Sequence, residues 1–379
     1  MLEDFLNQKP LYYKEIDYTR MPRAYASIKE KLKIPKIIQM IGTNAKGTTG
    51  RFLAQALRLS GVTVGHYTSP HIMCLNERIW IDGKDIEDAV LEAKHERLQE
   101  ILPQEFIASL SYFEYTTLLA MLAFEACEYV VLEAGLGGEY DATVVFENIL
   151  TVVTPIDMDH EAFLGDSIEA IATTKLNAIK KEAIIAKQKH ESVYGIAKEI
   201  VQRKEAVLHS VDDILNQEEQ HYIKKVACQI PQYLRDNLLT SMAAAKLLGF
   251  MCDPKGCIEA RLFGRMSKVA DNVIVDVGHN ALAAHSISKA LSPKKYVVVY
   301  NSYKDKDYAS ILKILQPIIK ELQIIEVDDP RIAEQNEIER VAESLLLSYR
   351  KFDKIAPNEE YLVFGSFSVV ATFLKGFNG

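Results

Sequence analysis

The sequence predicts an α/β protein of two domains, each built on a sheet. Apolar runs of strand length alternate with amphipathic helical stretches along the whole chain, which is typical of the α/β class. A length of 379 residues corresponds to two domains at roughly 150 residues each. The alternation restarts after residues 249–256, which contain glycine and proline and resemble a linker. We therefore predict domains at residues 1–256 and 257–379.

The composition limits the classes of protein to which the chain can belong. Apolar residues make up 48% and charged residues 25%, as in a soluble globular chain. A net charge of −8 argues against non-specific nucleic-acid binding, which needs a basic face. The apolar stretch around residues 118–124 is too short to cross a bilayer, and the N-terminus lacks the pattern of a signal peptide. The five cysteines are scattered without zinc spacing. We expect a monomeric cytoplasmic protein whose partners are small molecules, without nucleic acid or membrane.

A glycine-rich segment lies between the first predicted strand and its helix. Residues 42–49, GTNAKGTT, follow an apolar run at 37–41 and precede a helical pattern at 52–57. Backbone N–H groups in such a turn can approach phosphate oxygens, and the helix N-terminus adds a favourable field. Lys46 supplies a point charge and Thr48 a hydroxyl near a metal ion. The segment therefore predicts a P-loop-type domain, although Lys46 precedes Gly47, unlike the common spacing, and an ordinary turn is the alternative.

The following strands deliver polar residues to the same edge. The apolar runs at 63–67, 129–132 and 149–156 lead to Ser69, Glu133 and His160. Ligands gather at the carboxyl ends of strands in open α/β sheets. An acidic residue there, in a chain with a phosphate loop, is the arrangement that holds Mg²⁺. We predict metal contacts from Glu133 and His160, against the alternative that they only mark strand ends.

Lys175 stands out in the helix that follows. It lies four residues from both Ile171 and Ile179, so it falls on the apolar stripe. A lysine in that position must be paired, deprotonated or chemically modified.

The residues after the predicted linker form a smaller Rossmann-like α/β domain. Apolar strands are predicted at 273–277, 296–300, 324–327 and 361–364, and helical patterns separate and follow them.

Several of these segments, taken together, resemble one family. GTNAKGTT, TSPHIMCLNERI, SYFEYTT, LEAGLGGEYDAT, DMDHEAFLGDSIEAIATTKLNAIK and VDVGHN follow the order of motifs in the folylpolyglutamate synthase/dihydrofolate synthase family of Mur-ligase-like amide ligases. The similarity covers nearly the whole chain. It implies ATP-dependent ligation of L-glutamate to the carboxylate of dihydropteroate, of reduced folates, or of both. The reaction would pass through an acyl phosphate and release ADP.

The resemblance also implies roles for individual residues. The residues around the ATP phosphates would be Gly42, Asn44, Ala45, Lys46, Gly47 and Thr48. Those at two Mg²⁺ ions would be Thr48, Ser69, Glu133 and His160. Lys46, His160 and a carbamylated Lys175 would take part in catalysis. From the second domain, which would also bind glutamate, Arg265 and Asp276 would contact ATP. The dihydropteroate site would be lined by Ser111, Tyr112, Asp141, Ala142 and Thr143.

The chain departs from the family pattern at several positions. Ala45 replaces a loop glycine and Glu139 an arginine, while residues 236–240, DNLLT, replace a segment of the HQxxN type. Val277 and Ala281 replace a glycine and a proline. These departures leave the choice of acceptor open.

Three other functions are alternatives. A Mur ligase of cell-wall synthesis needs a nucleotide-sugar domain before the loop, and only 41 residues precede Gly42. A non-synthetic P-loop switch needs a guanine-reading Asn-Lys-x-Asp segment, which the sequence lacks. A small-molecule kinase would not need Lys175, His160 or the second domain.

Overall fold

The computed structural model describes residues 2–10, 17–159 and 161–377. The chain divides into two compact units: the first holds Met1–Ile230 and Leu234–Arg261, and the second holds Pro231–Tyr233 and Leu262–Gly379. Residues 249–256, predicted as a linker, belong to the first unit, where the Gln55 side-chain amide donates to the Gly256 carbonyl oxygen at 3.1 Å. The chain leaves that unit after Arg261.

The first unit is built on a mostly parallel sheet. Its strands are β1 (Lys36–Ile41), β2 (Val64–Tyr67), β3 (Ile79–Ile81), β4 (Lys84–Asp85), β5 (Tyr129–Glu133), β6 (Asn148–Val153), β7 (Glu182–Ile185) and β8 (Val207–Ser210). Their spatial order is β4-β3-β2-β5-β1-β6-β7-β8. In this spatial order, all neighbouring pairs from β2 through β5, β1, β6 and β7 to β8 are parallel. The edge pairs β2–β3 and β3–β4 are antiparallel. Strand β5 is buried throughout, as expected of a central parallel strand.

Helices precede, connect and follow these strands. The helices up to Arg261 are α1 (Leu2–Asn7), α2 (Arg20–Ile28), α3 (Lys46–Leu59), α4 (Asp88–Ile101), α5 (Gln104–Ser109), α6 (Tyr112–Ala123), α7 (Glu161–Leu164), α8 (Ile168–Leu176), α9 (Glu191–Arg203), α10 (Val211–Ile214), α11 (Gln217–Val226), α12 (Gln232–Leu247) and α13 (Pro254–Ile258). Apolar residues of α4 and α6 share one core cluster with β2 and β5. Those of α8 and α9 share a second cluster with β6 and β7.

The second unit is a smaller α/β sheet structure. Its strands are β9 (Ser267–Ala270), β10 (Val273–Asp276), β11 (Tyr296–Tyr300), β12 (Ile319–Ile324), β13 (Tyr349–Lys351) and β14 (Tyr361–Phe364), and its helices are α14 (Ala281–Leu291), α15 (Tyr308–Leu315), α16 (Gln335–Ser344) and α17 (Phe367–Phe377). The spatial order is β13-β12-β11-β14-β10-β9, and only the β9–β10 pair is antiparallel. The two sheets confirm the predicted fold class.

Two strands differ from their predicted bounds. The run at 149–156 ends as a strand at Val153, because Pro155 has no N–H for the ladder. The Thr154 backbone N–H still donates to the Ile41 carbonyl oxygen at the end of β1, and its hydroxyl contacts the carbonyl oxygens of Ile41 and Asn44. The strand predicted at 324–327 lies earlier, as β12. A 3₁₀ turn, Gln316–Ile318, contains Pro317 and lets the strand begin at Ile319.

Within the described ranges, every helix is too short or too polar to cross a membrane.

Two glycine-to-alanine substitutions in the first unit are expected to have opposite effects. A Cβ on Gly65 in β2 would lie 2.3 Å from Cδ1 of the buried Phe124 ring, so we expect Gly65→Ala to lower the free energy of unfolding by about 1–3 kcal/mol. A Cβ on Gly195, inside α9, would meet nothing within 4 Å. Gly195→Ala is therefore the matched control and is expected to raise stability by about 1 kcal/mol.

Denaturant unfolding followed by the fluorescence of Trp80 tests both variants, because this single tryptophan lies in β3 of the first unit. Equal effects of the two substitutions would contradict the packing around Gly65.

Candidate functional site

The candidate site lies at one edge of the first sheet. Strands β2, β5, β1 and β6 are adjacent and parallel, so their carboxyl ends meet at this edge. The loops that leave these strands carry Ser69, Glu133, the glycine-rich segment 42–45 and residues 154–159. Chain topology therefore brings together residues that lie far apart in the sequence.

The glycine-rich loop is held against the segment that follows β6. The backbone N–H groups of Thr43 and Asn44 donate to the Pro155 carbonyl oxygen at 2.9 and 3.2 Å. The Thr154 hydroxyl donates to the carbonyl of Asn44 at 2.7 Å. Gly42, at φ 138°, approaches so closely that a Cβ would lie 2.1 Å from the Thr154 hydroxyl oxygen. Only glycine fits at this contact.

Ala45 holds a left-handed conformation with φ 72°, and α3 begins at the next residue. Ala45 stands where the family resemblance leads one to expect glycine, and it adopts this conformation at a cost of about 1–2 kcal/mol for an L-residue. The loop requires this conformation to turn the chain from β1 into α3.

Lys46 opens α3 and folds back over the loop. Its ammonium donates to the carbonyl oxygens of Gly42 at 3.1 Å and Thr43 at 3.3 Å. Gly47 and Thr48 lie on the first turn of α3 and are buried. This geometry places a cation and a helix N-terminus at the same loop, which suits an anionic phosphate.

Ser69 and Glu133 are brought together, as predicted. The Glu133 carboxylate ends β5 and accepts hydrogen bonds from the Ser69 backbone N–H at 3.2 Å and from the Thr68 hydroxyl. The glutamate side chain is nearly buried. Ser69, which carries a hydroxyl, is therefore in direct contact with a buried carboxylate through its backbone N–H.

These oxygen groups suit a divalent cation that keeps water and phosphate ligands. Mg²⁺ is commonly held by one or two carboxylates together with substrate phosphates. In P-loop proteins, the hydroxyl of a loop Ser or Thr is a further ligand. Among residues 2–10, 17–159 and 161–377, no group of three His, Cys, Asp or Glu side chains forms a metal cage. Since their donors are all oxygen atoms, Glu133, Ser69 and Thr48 fit Mg²⁺ better than zinc, which takes Cys and His ligands. His160, the fourth predicted metal residue, lies outside the described residues.

Asp157 and Asp159 follow β6 and are both buried. Asp157 is paired with Lys189 at 3.0 Å and with His190 at 2.9 Å. Burial alone would raise the pKa of Asp157, but the hydrogen bonds from His190 and Lys189 outweigh it and lower the pKa. This aspartate therefore stays ionised and joins the loop after β6 to the loop after β7.

Lys175 is buried in α8, as the apolar stripe predicted, and 3% of its surface is exposed. Burial is the main cause that lowers the pKa of Lys175 to about 7, and the charge of Lys46 lowers it further. Asp159 and Asp141 act in the opposite direction. The lysine thus lies within electrostatic reach of the phosphate-loop lysine and of two acidic groups, and a large fraction of its amine is neutral near neutral pH.

The segment 135–138 connects β5 to this lysine. A Cβ on Gly138 would lie 2.4 Å from the Lys175 carbonyl oxygen, and one on Gly135 would lie 2.6 Å from the Phe113 ring. The next residue, Glu139, is exposed; its backbone N–H donates to the Thr174 carbonyl oxygen at 2.9 Å, and its carboxylate accepts from Asn177 at 2.8 Å. Glycines 135 and 138 therefore allow close packing.

The residues predicted to line an acceptor site make internal contacts. Ser111 caps α6 in a capping box with Glu114. The ring of Tyr112 lies 5.0 Å from the guanidinium of Arg78. Arg78 also donates to Nδ1 of His71 at 2.9 Å. Burial is the main cause that lowers the pKa of His71 to about 4, followed by the charge of Arg78, so this ring is neutral at neutral pH.

The Asp141 carboxylate organises its own loop. It accepts from the backbone N–H groups of Leu136 at 2.7 Å and Thr143 at 3.0 Å, and from the Thr143 hydroxyl at 2.7 Å. That hydroxyl accepts from Gln39 of β1 at 2.9 Å, and the intervening Ala142 is buried. Burial is the largest influence on Asp141 and raises its pKa above the ordinary value despite these hydrogen bonds. The loop is therefore fixed to the sheet edge.

Arg265 and Asp276 lie close together in the second unit. Asp276 ends β10 and accepts from the backbone N–H groups of Met266 at 2.9 Å and Gly278 at 2.8 Å. The guanidinium of Arg265 lies 5.3 Å from the ring centre of Phe367. Burial raises the pKa of Asp276, and the charge of Arg265 is the first influence that opposes it.

Sequence reasoning did not single out Thr154, Thr68 or Arg78. Thr154 and Thr68 act through hydroxyl bonds to a loop carbonyl and to Glu133, and each is the first residue after a strand. Thr68 directly follows the run predicted at 63–67, which was its only signal, whereas Thr154 lies inside the run predicted at 149–156 and had none.

The chain was compared with family models and with curated proteins, and the curated proteins gave matches. No family model matches the chain. The chain is 31% identical to the dihydrofolate synthase/folylpolyglutamate synthase of Haemophilus influenzae, with 92% of this chain and 91% of that protein covered. It is 30% identical to the protein of the same name from Escherichia coli, with 90% and 86% covered.

Solved structures resemble it over the full length. Helicobacter pylori folylpolyglutamate synthetase is 36% identical, with a TM-score of 0.80 and coverage of 100% of this chain and 98% of that chain. E. coli FolC in complex with ADP is 25% identical, with a TM-score of 0.83 and coverage of 100% and 96%. E. coli FolC in complex with DHPP and ADP is 27% identical, with a TM-score of 0.83 and coverage of 99% and 96%.

The pKa of Lys175 gives the free energy of unfolding a pH dependence of defined sign. The ordinary pKa of a lysine is 10.5, against about 7 for Lys175 in the folded protein. Between these values the unfolded chain binds a proton that the folded chain does not, so this group's contribution to stability rises with pH. Below about pH 7 the amine is charged in both the folded and the unfolded chain, so the full free-energy cost of burying that charge remains.

We expect Lys175→Met, which keeps the side-chain length and removes the amine, to stabilise the protein most in acid. Its advantage over the parent is expected to shrink by ~2 kcal/mol from about pH 6 to about pH 9. Unfolding followed by Trp80 fluorescence in bicarbonate-free buffer measures this, and Lys198→Met on the exposed face of α9 is the control. A pH-independent difference between Lys175→Met and the parent would contradict the buried, largely neutral amine.

Proposed function

Because the chain belongs to the dihydrofolate synthase/folylpolyglutamate synthase family, we propose that it ligates L-glutamate to the carboxylate of dihydropteroate, of reduced folates, or of both. ATP is the energy source and is converted to ADP and phosphate through an acyl phosphate. The E. coli FolC structures with ADP, and with DHPP and ADP, support these ligand classes. A cell-wall ligase or a nucleotide switch is not favoured.

One observation carries the proposal. The phosphate loop with Lys46, the Glu133–Ser69 pair and the buried Lys175 belong to neighbouring strand ends and helices of a single unit. This arrangement combines an anion cradle, oxygen ligands for a divalent cation and an amine of lowered pKa. Phosphoryl transfer needs the first two, because its catalysis rests on positioning and charge stabilisation.

The chemistry begins with an unreactive acceptor. A carboxylate does not react with an amine, since its carbon is electron-rich and oxide is a poor leaving group. Transfer of the γ-phosphoryl group to the carboxylate supplies a leaving group, and the glutamate amine then attacks the acyl carbon. We propose that Lys46 exchanges its carbonyl partners, Gly42 and Thr43, for phosphate oxygens when ATP binds.

We propose that Glu133, Ser69 and Thr48 hold a first Mg²⁺ and that His160 contributes to a second. Bound Mg²⁺ neutralises charge on the phosphoryl oxygens during transfer. The nearly buried Glu133 carboxylate, oriented by the Ser69 N–H and the Thr68 hydroxyl, supplies the negative charge that this role requires.

Lys175 is proposed to be carbamylated. A neutral buried amine can add CO₂ to give a carbamate, which converts a cation into an anion. Its low pKa supplies the neutral form, and the charge of Lys46 within reach makes the anion more favourable than the ammonium. A carbamate at Lys175 would face the phosphate and metal site as a further carboxylate.

We also propose roles for the acceptor segment and for the second unit. Tyr112, with Arg78 over its ring, is proposed to contact the acceptor, whereas Ser111, Asp141, Ala142 and Thr143 shape that site. From the second unit, residues 257–379 in the predicted division, Arg265 and Asp276 are proposed to contact ATP, and the unit is proposed to bind glutamate. Exclusion of water would protect the acyl phosphate from hydrolysis.

The direct test is ADP release in the presence of ATP, Mg²⁺ and L-glutamate, with dihydropteroate or tetrahydrofolate as the acceptor. We expect ADP release to require both the acceptor and glutamate, and the product to gain one glutamate. Comparison of the two acceptors assigns the synthase activity. ADP release that needs neither acceptor nor glutamate would contradict ligation and favour a nucleotide switch.

Loss of the phosphate-loop charge is expected to impair turnover. Lys46→Ala removes a charge placed at the phosphoryl group, which costs about 3–4 kcal/mol, or roughly two to three decades in rate. Lys29→Ala changes an exposed lysine outside the site and is the matched control. The proposed role of Lys46 would be abandoned if Lys46→Ala turned over within a few-fold of the Lys29→Ala enzyme.

The carbamate has its own test. We expect Lys175→Ala to be nearly inactive and to regain part of its activity with a short carboxylic acid such as acetate, which can occupy the space of the carbamate. We also expect the parent to lose activity when bicarbonate and CO₂ are stringently removed. Full activity of Lys175→Ala, or an unchanged parent without bicarbonate, would exclude the carbamate and leave the ligase assignment intact.

A further inference from the structure

Two cysteine side chains meet in the first unit, away from the proposed catalytic residues. The sulfur atoms of Cys252 and Cys257 lie 3.6 Å apart, and both cysteines are reduced. Cys252 is partly exposed, and Cys257 is fully buried. The two thiols are within hydrogen-bond distance of each other, and a disulfide between them needs the sulfur atoms to approach to about 2.05 Å.

The segment that carries the two thiols is held against α3. The Ser60 hydroxyl donates to the Met251 carbonyl oxygen at 3.3 Å, and the Gln55 amide donates to the Gly256 carbonyl oxygen at 3.1 Å. A Cβ on Gly256 would lie 2.6 Å from Cδ1 of Leu59, so α13 packs closely on the C-terminal half of α3. Both ends of the segment are therefore fixed, which keeps the sulfur atoms close to each other.

The two thiols differ in reactivity. A hydrogen bond from Cys257 lowers the pKa of Cys252, although burial and the charge of Asp253 oppose it. The same hydrogen bond and burial raise the pKa of Cys257. The partly exposed Cys252 is thus the better nucleophile, because the thiolate is the reactive form. Cys257 is placed to react with it afterwards.

We propose that Cys252 and Cys257 form a redox-reactive dithiol site that closes a reversible intramolecular disulfide when a hydroperoxide reaches Cys252. The Cys252 thiolate attacks one peroxide oxygen, the O–O bond breaks, and sulfenic acid and hydroxide form. The Cys257 thiol then attacks the sulfenic sulfur, a S–S bond forms, and water leaves with the thiol proton. Two thiols are oxidised and one hydroperoxide is reduced. A dithiol reductant reverses the change by thiol–disulfide exchange.

The remaining cysteines provide internal controls. All five cysteines lie within the described ranges; Cys74 and Cys228 are exposed and Cys127 is buried. Within those ranges Cys252 and Cys257 are the pair in sulfur contact. The neighbouring Met251 is 78% exposed, so its oxidation to the sulfoxide reports that peroxide has reached this surface.

The sequence allows an unambiguous measurement on the full-length protein. Trypsin cuts after Lys246, Lys255 and Arg261, so Cys252 and Cys257 fall in the separate peptides 247–255 and 256–261. Reduced protein is treated with hydrogen peroxide, alkylated while unfolding, and digested. We expect the two peptides to become joined, with a combined mass lower by two hydrogen atoms, and to separate again after dithiothreitol.

Two variants distinguish the proposed order of events. We expect Cys257→Ser to lose the joined peptides and to leave a sulfenic acid on Cys252 that a dimedone-type reagent traps. Cys228→Ser, a change at an exposed lone cysteine, is expected to form the joined peptides as the parent does. The proposal is overturned if both thiols stay open to alkylation in parent protein whose Met251 is already oxidised, or if the joined peptides come only from two different molecules. Because the readout is the covalent state of these cysteines, its outcome is separate from the ligase assay.

Discussion

The shape of the candidate site depends on the close contact between the glycine-rich loop and the segment after β6. Thr154 and Pro155 provide a hydroxyl and a carbonyl that meet three backbone groups of the loop, and Gly42 removes the side chain that would separate them. With the loop fixed in this way, α3 must start at Lys46. The position of the lysine and of the helix N-terminus is therefore set by backbone contacts between two neighbouring parallel strands.

A second constraint is electrostatic. Lys46 and Lys175 are two lysines within electrostatic reach of each other in a unit whose interior also holds Asp141 and Asp159. The low pKa of Lys175 and the raised pKa of Asp141 both arise mainly from burial, so each group is shifted toward its neutral form. Without a bound anion, the charge of Lys46 disfavours a second positive charge on Lys175. Added negative charge would reduce this repulsion. This supports an anionic ligand at the phosphate loop.

Much of the fold follows from local sequence patterns. The strand–loop–helix from Lys36 to Leu59, the strand ending at Glu133 and the buried position of Lys175 are all visible in apolar spacing, because each element buries one continuous face or stripe. Long-range pairings were not visible. The Thr154 hydroxyl, just after β6, contacts carbonyl oxygens of residues over a hundred positions away, which no local pattern shows. The antiparallel strand β9 also escaped prediction, since its short, half-exposed sequence has no distinctive periodicity.

The glycine-rich turn after β5 tolerates substitution unequally along its length. Position 135 lies directly against the Phe113 ring of α6, and position 138 lies against the Lys175 backbone of α8. A side chain at position 138 would therefore displace the helix that carries this lysine. Residue 139 is exposed; its carboxylate accepts from Asn177, and its backbone N–H donates to the Thr174 carbonyl oxygen. A charge can therefore be reversed at residue 139 while the adjacent machinery keeps its geometry. Sequence change within this turn is therefore expected to collect at residue 139, while the two closely packed positions stay glycine.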